Sequence, residues 1–338
     1  MLHFSSLLRP LFCTTLIGVD VDGKTCNLSI VVKKNKHTKE EIHKEFKCSN
    51  SELPIEAAKL IRSYKRKYPF SFLGAFSKTY NQGLVSTTQK SQVQKFGIKA
   101  SDNTFIAFDG WMCYIQKRAI DENRVRYLKA LGLDYLFSPF VALEFLSKSN
   151  LHKRNRMYVL HSRGSISIMV ADTQGVSFGG YFSLGNSLES SDETQDEIGE
   201  VSSLLDMKNL EGAIGSSIDE LKEIGELEDI DKEVLEEEFL PKEIELKKQK
   251  QEEHSRIEEF RDIARAHNAA ETIINCINEF YSNDLYRSDF LEKIVIFDTY
   301  GMSPQALTHI QNTLLLDVEL KRVNLAKILI ELMQRENP

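Results

Sequence analysis

The sequence predicts an α/β protein made of two related halves, each a β-meander followed by helical material. Three observations carry this. An apolar strand, a tight turn and an alternating strand run over 16–32, and the same arrangement returns at 157–171. Each copy continues through a polar turn into a third strand. Each is then followed by segments with helical apolar spacing, with a short apolar strand, 293-KIVIF-297, between the last of them. At 338 residues the chain has room for two domains or one two-lobed body.

The first hairpin begins at 16-LIGVDVDGKT-25. Gly18 to Thr25 spells the phosphate-loop pattern G-x-x-x-x-G-K-[ST], which works only when a helix opens straight after the lysine and threonine. Here CNLSIVV follows, with period-two alternation and β-branched residues, so a strand is expected instead. Asp22-Gly23 is a strong two-residue hairpin signal. The third strand is expected at 42-IHKEF-46, reached through the polar turn 35-NKHTKEE-41. A helix follows over 53–68, with Pro54 suited to its first turn. Its basic end, 62-RSYKRKYP-69, reads as the solvent side of an amphipathic helix, so no nucleic-acid partner is expected. FIAFDGWMCYIQK (105–117) reads as an apolar strand pair with Trp111 in a core. In the second copy, strands at 157–162 and 165–171 flank Arg163-Gly164, and the turn Asp172–Gly175 leads to the third strand. A helix with Phe260, Ile263, Ala270, Ile273, Ile277 and Phe280 on one stripe is expected over 256–281. The strand KIVIF, the turn 298-DTYGMSPQA-306 and a helix from Ala306 complete the order.

Charge divides the chain. From Glu189 to Leu240 there are 19 acidic residues against three lysines, which leaves a net +9 over the rest of a chain of net charge −7. The first part of that stretch reads as a solvated loop, and Ile218, Leu221, Ile224, Leu227, Ile230 and Val234 give the second the spacing of an acidic amphipathic helix. Five widely spaced cysteines without a C-x-x-C pair argue against a disulfide framework or a zinc site, and fit a reducing cytoplasm. No apolar run is long enough for a membrane span, and no signal peptide is read at the N-terminus. The eight histidines show no ligand spacing, so no metal is expected.

The order of LIGVDVDGKT (16–25), RYLKALGLDYLFSPFVALEFL (126–146), the hairpin at 157–171 and KIVIFDTYGMSPQAL (293–307) resembles the actin-like ATPase fold. Within that fold it is similar to the PilM family of type IV pilus assembly and to the cytoplasmic part of GspL. The resemblance implies a two-lobed, ribonuclease H-like duplicated fold. Its N-terminal tail would cover 1–13 and lobe 1 would cover 14–155, with a small subdomain inserted at about 80–125. Lobe 2 would cover 156–338, with an acidic, partly helical insertion at about 186–255.

In the family two D-x-G hairpins clamp the nucleotide's phosphates, and a glycine pair admits the adenosine. This chain departs at each point: Asp20 stays, Asp22 replaces the hairpin glycine, Gly23 comes one position late, and the second hairpin offers only His161 or Ser162 before Arg163-Gly164. The glycine pair is reduced to Gly301 beside Tyr300. If nucleotide binds at all, the resemblance assigns it to Asp20, Asp22, Gly23, Lys24, Thr25, Arg163, Gly164 and Gly301. Losing a metal-organising carboxylate removes charge that a phosphate–Mg²⁺ complex relies on.

The expectation is therefore a non-enzymatic cytoplasmic scaffold with no catalytic residues. It requires no cofactor, although ATP with Mg²⁺ is what the ancestral site would take. PilM resemblance implies docking of the short cytoplasmic tail of a bitopic, PilN-like inner-membrane protein. It also implies a possible homo-oligomeric ring at the membrane's cytoplasmic face, under a type IV pilus, a type II secretion or DNA-uptake system, or a flagellar motor. The chain's end in the helix 324–336, without a GspL-type anchor, fits a separate subunit. Two alternatives are a working actin-like ATPase and an interaction module acting through the acidic segment.

Overall fold

The computed structural model describes residues 12–34, 37–48, 52–184, 232–286 and 288–336. Strands β1 (Thr14–Asp22), β2 (Thr25–Lys34), β3 (His37–Lys47), β4 (Phe70–Phe76) and β8 (Tyr135–Phe137) form one sheet in the order β3-β2-β1-β4-β8. Strands β9 (Asn155–His161), β10 (Ser165–Asp172), β11 (Gly175–Ser183), β12 (Leu291–Asp298) and β13 (Val318–Arg322) form a second in the order β11-β10-β9-β12-β13. The two orders are the same. In each sheet the first two strands pair antiparallel, and the first and fourth pair parallel. This repeated meander with parallel additions is the two-lobed actin-like fold, and it establishes the duplication that the pattern predicts.

Among the described residues six α-helices accompany the strands: α1 (Ile55–Lys67), α2 (Lys117–Arg126), α3 (Pro139–Ser147), α4 (Lys232–Ser282), α5 (Pro304–Leu314) and α6 (Leu325–Glu336). Pro54 sits at the start of α1, where a missing N–H costs nothing. Ser303 caps α5 by accepting from the Ala306 N–H. Between β4 and β8 the chain builds a separate three-stranded sheet, β5 (Gln82–Val85), β6 (Asn103–Ala107) and β7 (Met112–Gln116), in the order β5-β7-β6. Trp111 is buried there and stacks on Phe108 with ring centroids 4.3 Å apart.

Two helices fill the space between the main sheets. One continuous core contains Leu16 and Phe76 of the first sheet, Tyr158 and Phe297 of the second, Phe140 and Leu143 of α3, and Leu325, Leu329 and Met333 of α6. Helix α6 follows β13 in the chain yet packs on β1. Gly18 of β1 makes this possible: a Cβ there would lie 2.2 Å from the Ala326 carbonyl oxygen. Gly74, its cross-strand partner on β4, would place a Cβ 2.8 Å from Met333 Sδ. The other face of the second sheet is covered by α4 through Ala266, Ala270, Ile273 and Phe280.

Three details differ from the sequence reading. The two-residue loop of the first hairpin is Gly23-Lys24 and not Asp22-Gly23, because Asp22 still pairs with Thr25 as the last residue of β1 and only Gly23 takes a positive φ. Strand β3 starts at His37, inside the stretch expected to be a turn, because an edge strand needs only Ile42 and Phe46 on its core side and carries charge elsewhere. Phe260, counted on the α4 stripe, is 72% exposed. Periodicity records which residues could share a face, and a covering surface is a tertiary matter. The acidic segment lies outside the described residues up to 231, and over 232–255 only the backbone of α4 is described. Among the described residues no helix is long and apolar enough to cross a membrane.

Adding a methyl group at Gly18 drives it into a backbone carbonyl that cannot rotate away, whereas at Gly74 it meets a flexible thioether. Gly18→Ala is expected to cost at or above the upper end of the overpacking range of about 1–3 kcal/mol, and Gly74→Ala less. Urea denaturation midpoints compare the two, and equal midpoints would contradict the packing of α6 on β1.

Candidate functional site

In open α/β sheets, functional groups gather beyond the carboxyl ends of parallel strands. β1 carries Asp20 and Asp22 to that end, and both are buried. The β1–β4 register pairs Val19 with Ala75. Carried on past the end of β4, it brings Lys78 abreast of Asp22. The Lys78 ammonium lies 2.8 Å from Asp20 Oδ1 and 3.6 Å from Asp22 Oδ1. Gln82 holds the loop that presents it: its side-chain amide donates to the Ser77 and Thr79 carbonyls, each at 2.9 Å, and its Oε1 accepts from Ser138 Oγ at 3.2 Å.

The second hairpin closes on the same carboxylates. The Arg163 backbone N–H donates to Asp22 Oδ2 at 3.0 Å, and its guanidinium donates to Thr25 Oγ1 at 2.7 Å. The guanidinium carbon stands 5.7 Å from the Tyr300 ring centroid, and that of Arg265 stands 5.9 Å from the same ring. Asp20, Asp22, Thr25 and Arg163, which the sequence singled out, are thus brought together. Gly23 takes the positive φ of 59° that the β1–β2 turn requires. Lys24 is exposed beside it. Gly164 accepts the Leu184 N–H at 3.1 Å and so anchors the end of β11.

Gly301 lies in the turn after β12. Its N–H and that of Tyr300 both donate to Asp298 Oδ1 at 3.1 Å, while the Met302 N–H donates to Oδ2 at 2.8 Å. Three backbone donors that could face a ligand are therefore committed to one buried aspartate.

The two halves can be compared position by position. Asp22 pairs with Thr25 across the first turn, and the Ser162 N–H bonds the Ser165 carbonyl across the second. Ser162 therefore occupies the Asp22 position. In the matching place for Lys78 stands Thr299, whose hydroxyl lies 3.2 Å from Ser162 Oγ. A neutral hydroxyl pair in one half stands where the other half has an ion pair.

Burial pushes the Asp20 carboxyl up, since the charged form loses solvation; Lys78 opposes this and the neighbouring Asp22 adds to it. Burial also pushes on Asp22, but Lys78, the Arg163 N–H and the Arg163 charge outweigh it and hold the carboxyl below its ordinary 3.8. Burial disfavours the Lys78 ammonium, yet the two aspartates more than offset this and raise its pKa.

Lys78 was not visible as a functional residue in the sequence. The available signal was its position just after a buried strand, FSFLGAF, in the polar run SKTYNQ. That run reads equally well as an ordinary loop.

Removing the cation strands two buried carboxylates. Lys78→Met is expected to lose about 3–5 kcal/mol at neutral pH, with Asp20→Asn in the same chain restoring part of it. The depressed Asp22 carboxyl contributes stability above its unfolded pKa, and this is lost as pH falls through the lower folded value. The Tm difference between the native chain and Asp22→Asn should therefore be largest near neutrality and shrink below about pH 4. A difference that grows on acidification contradicts the assigned direction.

Comparison with known proteins adds the following. Residues 157–338 match the family model described as domain of unknown function DUF8341, and residues 12–144 match domain of unknown function DUF8569. No curated protein matches the chain. Among solved structures, a Bacteroides thetaiotaomicron protein with an actin-like ATPase fold is similar at 9% identity and a TM-score of 0.47, over 98% of each chain. A PilM–PilN type IV pilus biogenesis complex is similar at 11% identity and a TM-score of 0.47, over 92% of this chain and 89% of the other. The ethanolamine utilization protein EutJ from Carboxydothermus hydrogenoformans is similar at 11% identity and a TM-score of 0.37, over 94% and 86%.

Proposed function

The chain belongs to the family described as domain of unknown function DUF8341, and from there we propose that it is a non-hydrolysing scaffold on an actin-like frame. The observation that carries this reading is the Asp20–Lys78–Asp22 ion pair at the hairpin mouth. A metal-bound triphosphate needs those carboxylates free to organise a hydrated cation. Here an ammonium already neutralises them, and the Arg163 backbone closes on Asp22 from the opposite hairpin. By the same pairing the second hairpin has Leu160 at the Asp20 position and Ser162 at the Asp22 position, so it brings no carboxylate, and the N–H groups around Gly301 serve Asp298. These residues do not fit a Mg²⁺-nucleotide, and Arg163 and Lys24 serve no nucleotide in this reading.

The scaffold's partner follows from the sequence resemblance to the PilM family at 16–25, 126–146 and 293–307. It is a bitopic inner-membrane protein of the PilN kind, whose short cytoplasmic tail docks on the chain. The scaffold is then peripheral to the membrane's cytoplasmic face and assembles in several copies beneath an envelope-spanning machine. The net +9 outside the acidic segment suits an anionic leaflet or an acidic partner.

Calorimetric titration with ATP and Mg²⁺ is expected to give no saturable heat, and a phosphate-release assay no turnover. Saturable binding with steady release would overturn the reading. The partner is tested separately by membrane pull-down, in which a bitopic protein with a short cytoplasmic tail is expected to co-isolate. Its tail peptide should then bind the purified chain directly.

A further inference from the structure

One surface of the first half carries exposed apolar and basic side chains that the hairpin mouth does not use. Helix α2 ends at Arg126 and runs into the 3-10 turn Leu128–Ala130, which packs against α1. Ala130 is buried at that contact, whereas Val125 and Leu128 are each 65% exposed and Leu131 is 51% exposed. Ile55, at the start of α1, is also exposed and lines the same surface hollow as Lys129. Single exposed leucines are ordinary, but neighbouring ones mark interaction surfaces. Leu131 adds a second observation. It holds a φ of 63° and Gly132 follows at 85°, while the Gly132 N–H donates back to the Tyr127 carbonyl at 3.1 Å. Such a left-handed position at a helix end is normally glycine, because a Cβ is disfavoured there. A large apolar side chain thus stands in solvent where the backbone prefers none, and an outlier of this kind points to function.

Basic side chains flank this corner. At 100° per residue Ile55, Lys59, Arg62 and Arg66 fall in one row along α1. The row lies toward 128–132, since Lys65 beside it donates to the Leu131 and Gly132 carbonyls at 3.3 and 3.0 Å and to Asp134 at 2.9 Å. Glu56 and Lys67 fall on the other flank of the helix. The neighbouring acids are matched: Asp134 by Lys65, Glu52 by Lys129 at 3.8 Å, Asp121 by Arg124 at 3.4 Å and Glu122 by Arg118 at 2.9 Å. Lys59, Arg62, Arg66 and Arg126 make no ion pair among the described residues, so the surface has a cationic surplus. Exposed aliphatic side chains set among unmatched lysine and arginine suit a bilayer's headgroup region. Apolar tips enter the acyl boundary while the cationic ends reach the phosphates. An acidic protein would match the charges and leave the leucines in water.

We propose that this face seats on an anionic membrane surface, with Leu128 and Leu131 entering it and the Lys59–Arg62–Arg66 row on headgroup phosphates. The chain's net charge of −7 does not decide the matter, because the acidic excess is confined to 189–240 and charges act over only about 8 Å at physiological ionic strength. The inference rests on the scaffold reading for the membrane as its target. Its test uses lipid alone, so failure here leaves tail docking standing, and a tail peptide that does not bind leaves the vesicle result unchanged. The full chain is floated with vesicles of equal parts phosphatidylglycerol and phosphatidylcholine, beside vesicles of phosphatidylcholine alone. Binding is expected to the anionic vesicles only, and to weaken as salt is raised. Lys59→Gln with Arg62→Gln should weaken it about tenfold or more, since each basic residue near an anionic surface is worth about fivefold. Leu128→Ser with Leu131→Gly should also weaken it about tenfold, with Tm kept or raised because glycine suits the left-handed backbone. Removing two exposed charges elsewhere, Lys153→Gln with Arg154→Gln, should change binding less than about twofold. No flotation with anionic vesicles overturns the proposal, and so does equal flotation with phosphatidylcholine alone. Binding that survives both sets of changes on the face, or that falls as far in the 153–154 variant, overturns it as well.

Discussion

The pair of carboxylates buried at the end of β1 is the constraint around which the molecule is arranged. Asp20 and Asp22 lie two residues apart on one strand, both almost fully buried. Neither could stay ionised there alone, since burial without compensation costs several kcal/mol per charge. The compensation comes from two distant places: Lys78 from the loop after β4, and Arg163 from the opposite hairpin, 141 residues along the chain from Asp22. The first contact fixes the loop leaving the first sheet. The second ties the two halves at their hairpins.

Duplication gave both halves the same strand order and different chemistry. In the first half the end of β1 carries an acid and the loop after β4 a base. In the second the corresponding residues are Ser162 and Thr299, joined by their hydroxyls. Asp298, which ends β12, turns its oxygens back onto the N–H groups of its own loop. A carboxylate that organises a turn is unavailable to organise a cation. The charged and hydroxyl groups of the cleft are therefore largely engaged with one another, which is the observation behind the proposal of a scaffold.

The same economy appears in the core. Helix α6 reaches the first sheet only because Gly18 leaves room for a backbone carbonyl, and α3 lies against β9 and β10 of the second. Each half thus contributes a helix to the layer between the sheets, and Leu16, Phe140, Tyr158 and Leu329 belong to a single apolar cluster. Separating the halves would expose that layer on both sides, a large loss at about 25 cal/mol per Å² of apolar surface.

How much of this the sequence determined follows from the range of the forces involved. Period-two alternation in LIGVDVDGKTCNLSIVV is local, so the hairpin and its rejection as a phosphate loop could be read directly, although its two-residue loop is Gly23-Lys24 and not the expected Asp22-Gly23. The repeat of that pattern at 157–171 was enough to predict the duplicated frame. The polar edge strand β3 was read too short, since an edge needs few apolar residues to stay in register. The partners of the buried charges were beyond local reading. Lys78 looks like any loop lysine until the parallel pairing of β1 with β4 brings it beside Asp22. Nothing near Gly18 in the chain announces a helix more than 300 residues away. Periodicity and turn chemistry act over a few residues and belong to the sequence; charge compensation and close packing act through space, and only the tertiary structure decided them.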